Sequence, residues 1–191
     1  MMTLVSKDTR AGFATLIGAP NAGKSTLMNA MVGQKVSIVT PKVQTTRSRI
    51  RGIAMQDEAQ IIFVDTPGIF SPKRRLDRAM VNAAWQGAAD NDVLLLLNDC
   101  ARVSLDDETK MIIAKLVQQE QAAALILNKI DLATPEQVLV RTAELSSLFS
   151  FEKVFMISAH TGNGLLDLKS WLAKKMPVSY THLTLPTRYR V

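Results

Sequence analysis

Gly18, Gly23, Lys24 and Ser25 stand at a spacing that can hold phosphate. Glycines let a loop turn its amide N–H groups inward, and a helix opening at the lysine adds the partial positive charge of its N-terminus. The stretch "GAPNAGKST", residues 18–26, satisfies GxxxxGK[ST] between an apolar run and a helical one, where the pattern has to sit. Lys24 is expected to reach the β and γ phosphates and Ser25 to ligate Mg²⁺. Ala19, Pro20, Asn21, Ala22 and Thr26 complete the loop. The loop is read as holding a nucleoside triphosphate.

A second cluster selects the base. "NKID", residues 128–131, follows the apolar run "AALIL", at the strand edge where open α/β sheets bind ligands. The Asp131 carboxylate can accept two hydrogen bonds from the N1 and 2-amino donors of guanine. Adenine offers neither, and would leave it unpaired at a cost of roughly 1–3 kcal/mol. An ATPase on the same loop is therefore disfavoured. Asn128 and Lys129 complete this motif, and "SAH" at 158–160 brings Ser158 and Ala159 to the same edge. His160 reads as a surface residue.

A third cluster, "DTPG" at 65–68, ends the strand "IIFV". Asp65 can hold Mg²⁺ through water, and the Gly68 amide can bond the γ-phosphate, so that losing this phosphate frees the loop behind it. Thr66 and Pro67 lie between them. Within residues 40–47, Thr46 is the expected second hydroxyl on Mg²⁺, with Thr45 as the alternative. The expected catalytic residues are Lys24, Thr46 and Gly68.

These clusters need a scaffold with strand ends on one edge. Apolar, β-branched runs alternate with segments of helical period, the pattern of a three-layer α/β domain. "GFATLIG" (12–18) leads into the phosphate loop and a helix reaching about Gly33. Residues 34–49 show no clean periodicity and read as a long mobile connection. "IRGIAM" and "AQIIFVD" form an expected hairpin around Gln56–Glu58. "DVLLLLND" precedes a helix capped near Ser104, with Asp107 as its third successor. "AALILNKID" precedes a helix opened by Thr134, Pro135 and Gln137. "EKVFMISA" precedes a last helix with Leu165, Leu168, Leu172 and Met176 on one face. The expected fold is a three-layer P-loop NTPase with a six-stranded, mostly parallel sheet and helices on both faces. Asn98 and Asp99 are oddly polar for their strand and are expected to be tolerated at its end.

Composition fits one globular domain: of 191 residues, 47% are hydrophobic and 21% charged. No apolar run approaches the roughly 20 residues of a membrane span, and the N-terminus lacks the order of a secretory signal. One cysteine, Cys100, leaves no internal disulfide and fits a reducing cytoplasm; it reads as packing. The nine methionines read as core filler. The formal charge of +6 falls to +4 without Arg188 and Arg190 of the tail "VSYTHLTLPTRYRV". The first ten tail residues match an in-frame translation of a transposon-derived sequencing adapter. The domain is thus expected over 11–177, preceded by a short tail at 1–10 and followed by a non-native tail at 178–191.

Taken in order, "GAPNAGKSTLMNAMVGQKVSIVTPKVQTTRSRIRGI", "QIIFVDTPGIFSPKRRLDRAM", "NKID" and "ISAHTGNGL" resemble the Era-like family, in the translation-factor-related class of GTPases, over about residues 10–177. The resemblance implies a Ras-like G domain that binds GTP and GDP with Mg²⁺ and hydrolyses GTP. It implies 16S ribosomal RNA and the small ribosomal subunit as partners, a monomer, and a cytoplasmic location with peripheral association at the inner membrane. Family members continue into a KH domain, whose G-x-x-G loop clamps RNA. None of the nine glycines has that spacing, so the alternative is a module that binds GTP without recognising RNA. Where Ras-like enzymes orient water with a glutamine, this chain has Ile69. Family members with the GxPNxGKS loop use its asparagine to bind K⁺ beside the phosphates; Asn21 matches it, or else only braces the loop. "RSRIR" (47–51) and "KRRLDR" (73–78) are either RNA contacts or solvated switch surface.

Overall fold

The computed structural model describes residues 9–32, 49–65 and 91–178, without the side chains of 49–51 and 65. Thr45, Thr46, Thr66, Pro67, Gly68, Ile69, the basic stretch 73–78 and the tail beyond 178 lie outside the described residues, as do 1–8 and 33–48. In chain order the elements are β1 (Arg10–Gly18), α1 (Lys24–Val32), β2 (Arg49–Gln56), β3 (Ala59–Asp65), β4 (Val93–Asp99), α2 (Asp107–Gln118), β5 (Ala124–Asn128), a 3₁₀ turn (Ile130–Leu132), α3 (Pro135–Leu148), β6 (Val154–Met156) and α4 (Leu165–Lys175).

These six strands form one sheet in the order β2-β3-β1-β4-β5-β6. Of their pairings only β2–β3 is antiparallel; β1 pairs in parallel with β3 and β4, and β5 with β4 and β6. The hairpin is tight because Asp57 takes a left-handed backbone at φ 52°, a conformation Asp tolerates better than most residues.

β4 shows why the sheet is covered on both sides. Side chains alternate across a strand, so a strand buried on both faces reads as a continuous apolar run. Val93, Leu95 and Leu97 join Leu27, Met31, Leu168 and Leu172 of α1 and α4 in one core. Leu94 and Leu96 join Ile112, Leu116, Val138 and Leu145 of α2 and α3 in the other. Each fully buried leucine contributes about 1.5–3 kcal/mol, so these two layers hold the sheet firmly beneath its loops.

Helix ends follow local chemistry. Thr134 and Gln137 make the reciprocal capping box at the start of α3: the Gln137 amide donates to Thr134 Oγ1 (3.3 Å) and the Thr134 amide to Gln137 Oε1 (2.9 Å). The expectation for α2 needs correction. Its N-cap is Asp106, whose Oδ1 accepts from the Thr109 amide at 2.7 Å, rather than Ser104. Leu105 is buried in the second core and the chain is still extended at Asp106 (φ −75°, ψ 152°), so the helix begins only after it. On α4, Leu168, Leu172 and Met176 are buried as their spacing requires, and Trp171 stacks edge-on against Phe155 at 5.3 Å. The helix returns to the start of β1, where the Ala11 amide donates to Pro177 O (3.1 Å) and Arg10 Nη1 to Lys174 O (2.9 Å). Val178 forms an isolated antiparallel bridge with Arg10.

Candidate nucleotide-binding site

Three parallel strands, β1, β4 and β5, end side by side, and their loops share one edge of the sheet. β1 breaks at Gly18, with φ 151°, and the loop passes through Asn21 (φ 63°) and Gly23 (φ 98°) before α1 begins at Lys24. Two of these positions admit only glycine. A Cβ on Gly18 would strike the Leu97 carbonyl of β4, and one on Gly23 would strike the Asn128 side-chain amide.

Lys24 Nζ donates to the carbonyls of Gly18 (2.6 Å) and Ala19 (2.8 Å). The ammonium is thereby held over the loop rather than out in solvent, beside the first-turn amides of α1. Ser25 and Thr26 are exposed on that turn. Ala19 and Ala22 are buried and anchor the loop, while Pro20 and Asn21 form its exposed tip. Asp65 closes β3 in register with Leu16, two residues before Gly18. A hydroxyl on α1 and a carboxylate at a neighbouring strand end are oxygen donors of the kind Mg²⁺ takes while keeping most of its water. Among the described residues no group of three or more His, Cys, Asp or Glu could hold a metal by itself.

The base-side motif is joined directly to this loop. Asn128 is buried, its Nδ2 donates to Ala22 O at 2.9 Å, and its Oδ1 accepts from the Ala159 amide at 3.0 Å. One side chain thus ties β5 to the phosphate loop and to the loop after β6. Its backbone carbonyl receives both the amide (3.1 Å) and the thiol (2.9 Å) of Cys100. Burial, then the Asp99 charge, raise the Cys100 thiol above its ordinary range, so it stays protonated and serves packing. Lys129 adopts a left-handed backbone (φ 65°) that turns the chain into the 3₁₀ turn, leaving Asp131 exposed on the loop edge. Ser158 is fully buried and its Oγ accepts from the Thr161 amide at 3.1 Å, which fixes the Ala159 amide toward Asn128. His160 is exposed.

Asn98 and Asp99 are more than tolerated. Asn98 accepts from Arg141 Nη1 (3.3 Å) and donates to Thr109 Oγ1 (3.5 Å). Asp99 Oδ2 lies 2.6 Å from Lys129 Nζ, and its Oδ1 accepts from the Ala101 amide at 3.1 Å. Arg102, next along, donates from Nη2 to Pro20 O at 3.1 Å. Sequence reading passed over Arg102 and Arg141. The available signal was the polar pair itself, because a buried polar residue at the carboxyl edge of a parallel sheet has to meet partners there.

The geometry agrees with the comparisons. A family model described as "50S ribosome-binding GTPase" matches residues 13–129. A GTPase Era of Dinoroseobacter shibae is 54% identical over 179 residues, which cover 92% of this chain and 58% of that protein. Era of Aquifex aeolicus, in a singly substituted form bound to GDP and AlF4⁻, superposes with a TM-score of 0.70 at 34% identity, over 90% of this chain and 58% of that one. An Era structure with MgGDPNP and nucleotides 1506–1542 of 16S ribosomal RNA gives 0.72 at 33%, over 91% and 59%. The chain spans a little over half the length of these relatives. The phosphate loop and the base-side motif meeting at one sheet edge, and a family model that runs through the first and ends in the second, place this chain in the 50S ribosome-binding GTPase family, alongside the Era proteins.

Proposed function

We propose that this domain is a GTP-binding and GTP-hydrolysing switch of the Era type, working on 16S ribosomal RNA in small-subunit assembly. The observation that carries the nucleotide reading is Asn128, whose single amide joins the phosphate loop at Ala22 to the base-side loop at Ala159. A ligand with phosphates at one end and a guanine at the other would span those two anchors. Lys24 and the loop amides between Gly18 and Thr26 take the phosphates, Asp131 the guanine, and Ser25, Thr46 and, through water, Asp65 the Mg²⁺. When bound there, Mg²⁺ would supply positive charge to offset that of the phosphates. Thr66, Pro67 and Gly68 form the switch that reads the γ-phosphate. The Era structure that holds Mg with GDPNP supports the cofactor.

Hydrolysis adds water to the γ-phosphate and leaves GDP and phosphate. With Ile69 unable to orient that water, we assign part of the charge stabilisation to a K⁺ held by Asn21. The 16S fragment in the related Era complex supports ribosomal RNA of the small subunit as the partner, although the family description speaks of the 50S particle. We further assign the domain to 11–177, the residues after 177 to a non-native tail, and the protein to the cytoplasm as a monomer, peripheral at the inner membrane. Among the described residues no helix is long and apolar enough to cross a membrane.

The test is a Mg²⁺-dependent titration of the full chain with fluorescent GTP and ATP analogues, followed by phosphate release in KCl and NaCl. Selective GTP binding with turnover faster in K⁺ is expected. Equal affinity for ATP would overturn the guanine assignment, and equal rates in the two salts would remove K⁺ from the mechanism.

A further inference from the structure

Arg102 has no place in the motifs, yet its side chain and backbone contact four segments of the site. Nη2 donates to the carbonyl of Pro20, on the phosphate loop, at 3.1 Å. Nε lies 3.8 Å from Asp99 Oδ2, at the end of β4, and Nη1 3.5 Å from Asp106 Oδ2, the cap of α2. Its own carbonyl accepts from Arg141 Nη2 of α3 at 2.9 Å. Arg141 is itself buried, with Nε 3.1 Å from Glu144. The Asp99 oxygen that faces Arg102 also takes Lys129 of the base-side motif.

The carbonyl so held immediately precedes Asn21, which sits at φ 63°. Asparagine tolerates that region better than most residues, so what a neighbour can add here is a fixed orientation of the turn on the body of the domain. The tip is a turn closed on itself only by the Ala22 amide, which donates to Ala19 O at 3.3 Å, and its corner residues Pro20 and Asn21 are exposed, so Arg102 is what ties that corner to the rest of the fold. A guanidinium suits the task, since its three separated nitrogens each face a different partner, the Pro20 carbonyl, Asp99 and Asp106, whereas an ammonium's donors radiate from one atom.

We propose that Arg102 is a positioning residue that clasps the Pro20–Asn21 tip of the phosphate loop onto the end of β4, and so sets how long a nucleotide's phosphates stay bound. The proposal rests on the nucleotide site described above. It separates two functions within that site: the clasp governs residence on the phosphate side, while base choice remains with Asp131.

Two variants test it. Arg102→Met keeps the length and removes every donor. Asp106→Asn keeps a good cap for α2 but removes one of the carboxylates that aim the guanidinium. The readouts are amide hydrogen exchange over residues 19–26 in nucleotide-free protein, release of fluorescent GDP, and the ratio of GTP to ATP affinity. Arg102→Met is expected to speed loop exchange and GDP release about tenfold, the factor that about 1.4 kcal/mol corresponds to, with an unchanged affinity ratio. Asp106→Asn should move both rates the same way by about two- to threefold, and it carries the test if Arg102→Met does not fold. Unchanged exchange and release in a folded variant would overturn the clasp, as would an effect confined to the unfolding temperature. If the loop loosens while neither wild type nor variant binds guanine nucleotide, the clasp stands and the nucleotide assignment fails.

Discussion

Asn128 Nδ2 stands 2.9 Å from the carbonyl of Ala22, across the 106 residues that separate them in the chain, and the bond is buried. It closes the site from within, because β5 cannot shift without moving the phosphate loop. Replacing Asn128 by alanine leaves the Ala22 carbonyl and the Ala159 amide buried and unpaired. The expected cost is about 2–4 kcal/mol, which chemical denaturation of wild type and variant would measure. Asn128→Asp, which keeps the acceptor for Ala159 but sets a buried carboxylate against the Ala22 carbonyl, should cost at least as much.

Gly23 faces that same amide. Alanine there would carry a Cβ into Asn128 Nδ2 at a backbone φ of 98°. Gly23→Ala should weaken binding of a fluorescent GTP analogue by more than about tenfold, with a loss of stability of about 1–3 kcal/mol. A variant that binds as tightly as wild type would show that the loop can relax away from Asn128.

Asp131 is exposed on the loop edge, so its carboxylate is open to a ligand. Asp131→Asn replaces one of two acceptors with a donor, which opposes the 2-amino group of guanine and suits a carbonyl at that position. Competition titrations should show GTP affinity falling by about tenfold or more and xanthosine triphosphate gaining on it. Thermal stability should stay within about 0.5 kcal/mol of wild type, as for other exposed substitutions.

The capping box of α3 gives a local prediction. Thr134→Ala removes the acceptor for the Gln137 amide and should cost about 1 kcal/mol, read as a fall of about 2–4 °C in unfolding temperature. The Glu136 carboxyl, held below its ordinary range by its own backbone amide and then by Thr134, should titrate closer to a free glutamate in this variant, as NMR would show.

Cys100 should resist iodoacetamide in the folded protein and react once the chain is unfolded, since burial keeps it from solvent and from ionising. A thiol whose folded pKa is raised stabilises the fold below the unfolded value and loses that contribution as pH rises through the folded one. Stability is therefore expected to decline above about pH 9, the thiol's ordinary value, and Cys100→Ala should lessen that decline.

Elements whose signals are local were legible in advance. The β2–β3 hairpin, the Thr134–Gln137 box and the leucine face of α4 each depend on residues within a few positions of one another. The phosphate loop was legible for the same reason. The start of α2 was misread because Ser104 is a good cap in isolation, and the burial of Leu105 and the extended backbone at Asp106 show only in the fold. The polar end of β4 was beyond local reading altogether. Asn98 finds Arg141 forty-three residues later, and Asp99 finds Lys129 thirty residues later, so neither partner could be named until β4, β5 and α3 had been brought together. Arg102 is the extreme case, because its one distant acceptor is a backbone carbonyl, which leaves no trace in residue type.

The meeting of Arg10 with Pro177 and Val178 fixes where the domain can be handled. Both ends of the described fold emerge at the amino end of β1, a nine-residue strand, so about 26 Å of sheet separates them from the phosphate loop. Val178 itself stands at the pole opposite the loops. A tag, a fused reporter or a neighbouring domain attached there leaves the nucleotide mouth open, and can sense what happens in it only through the body of the sheet or by reaching around its edge.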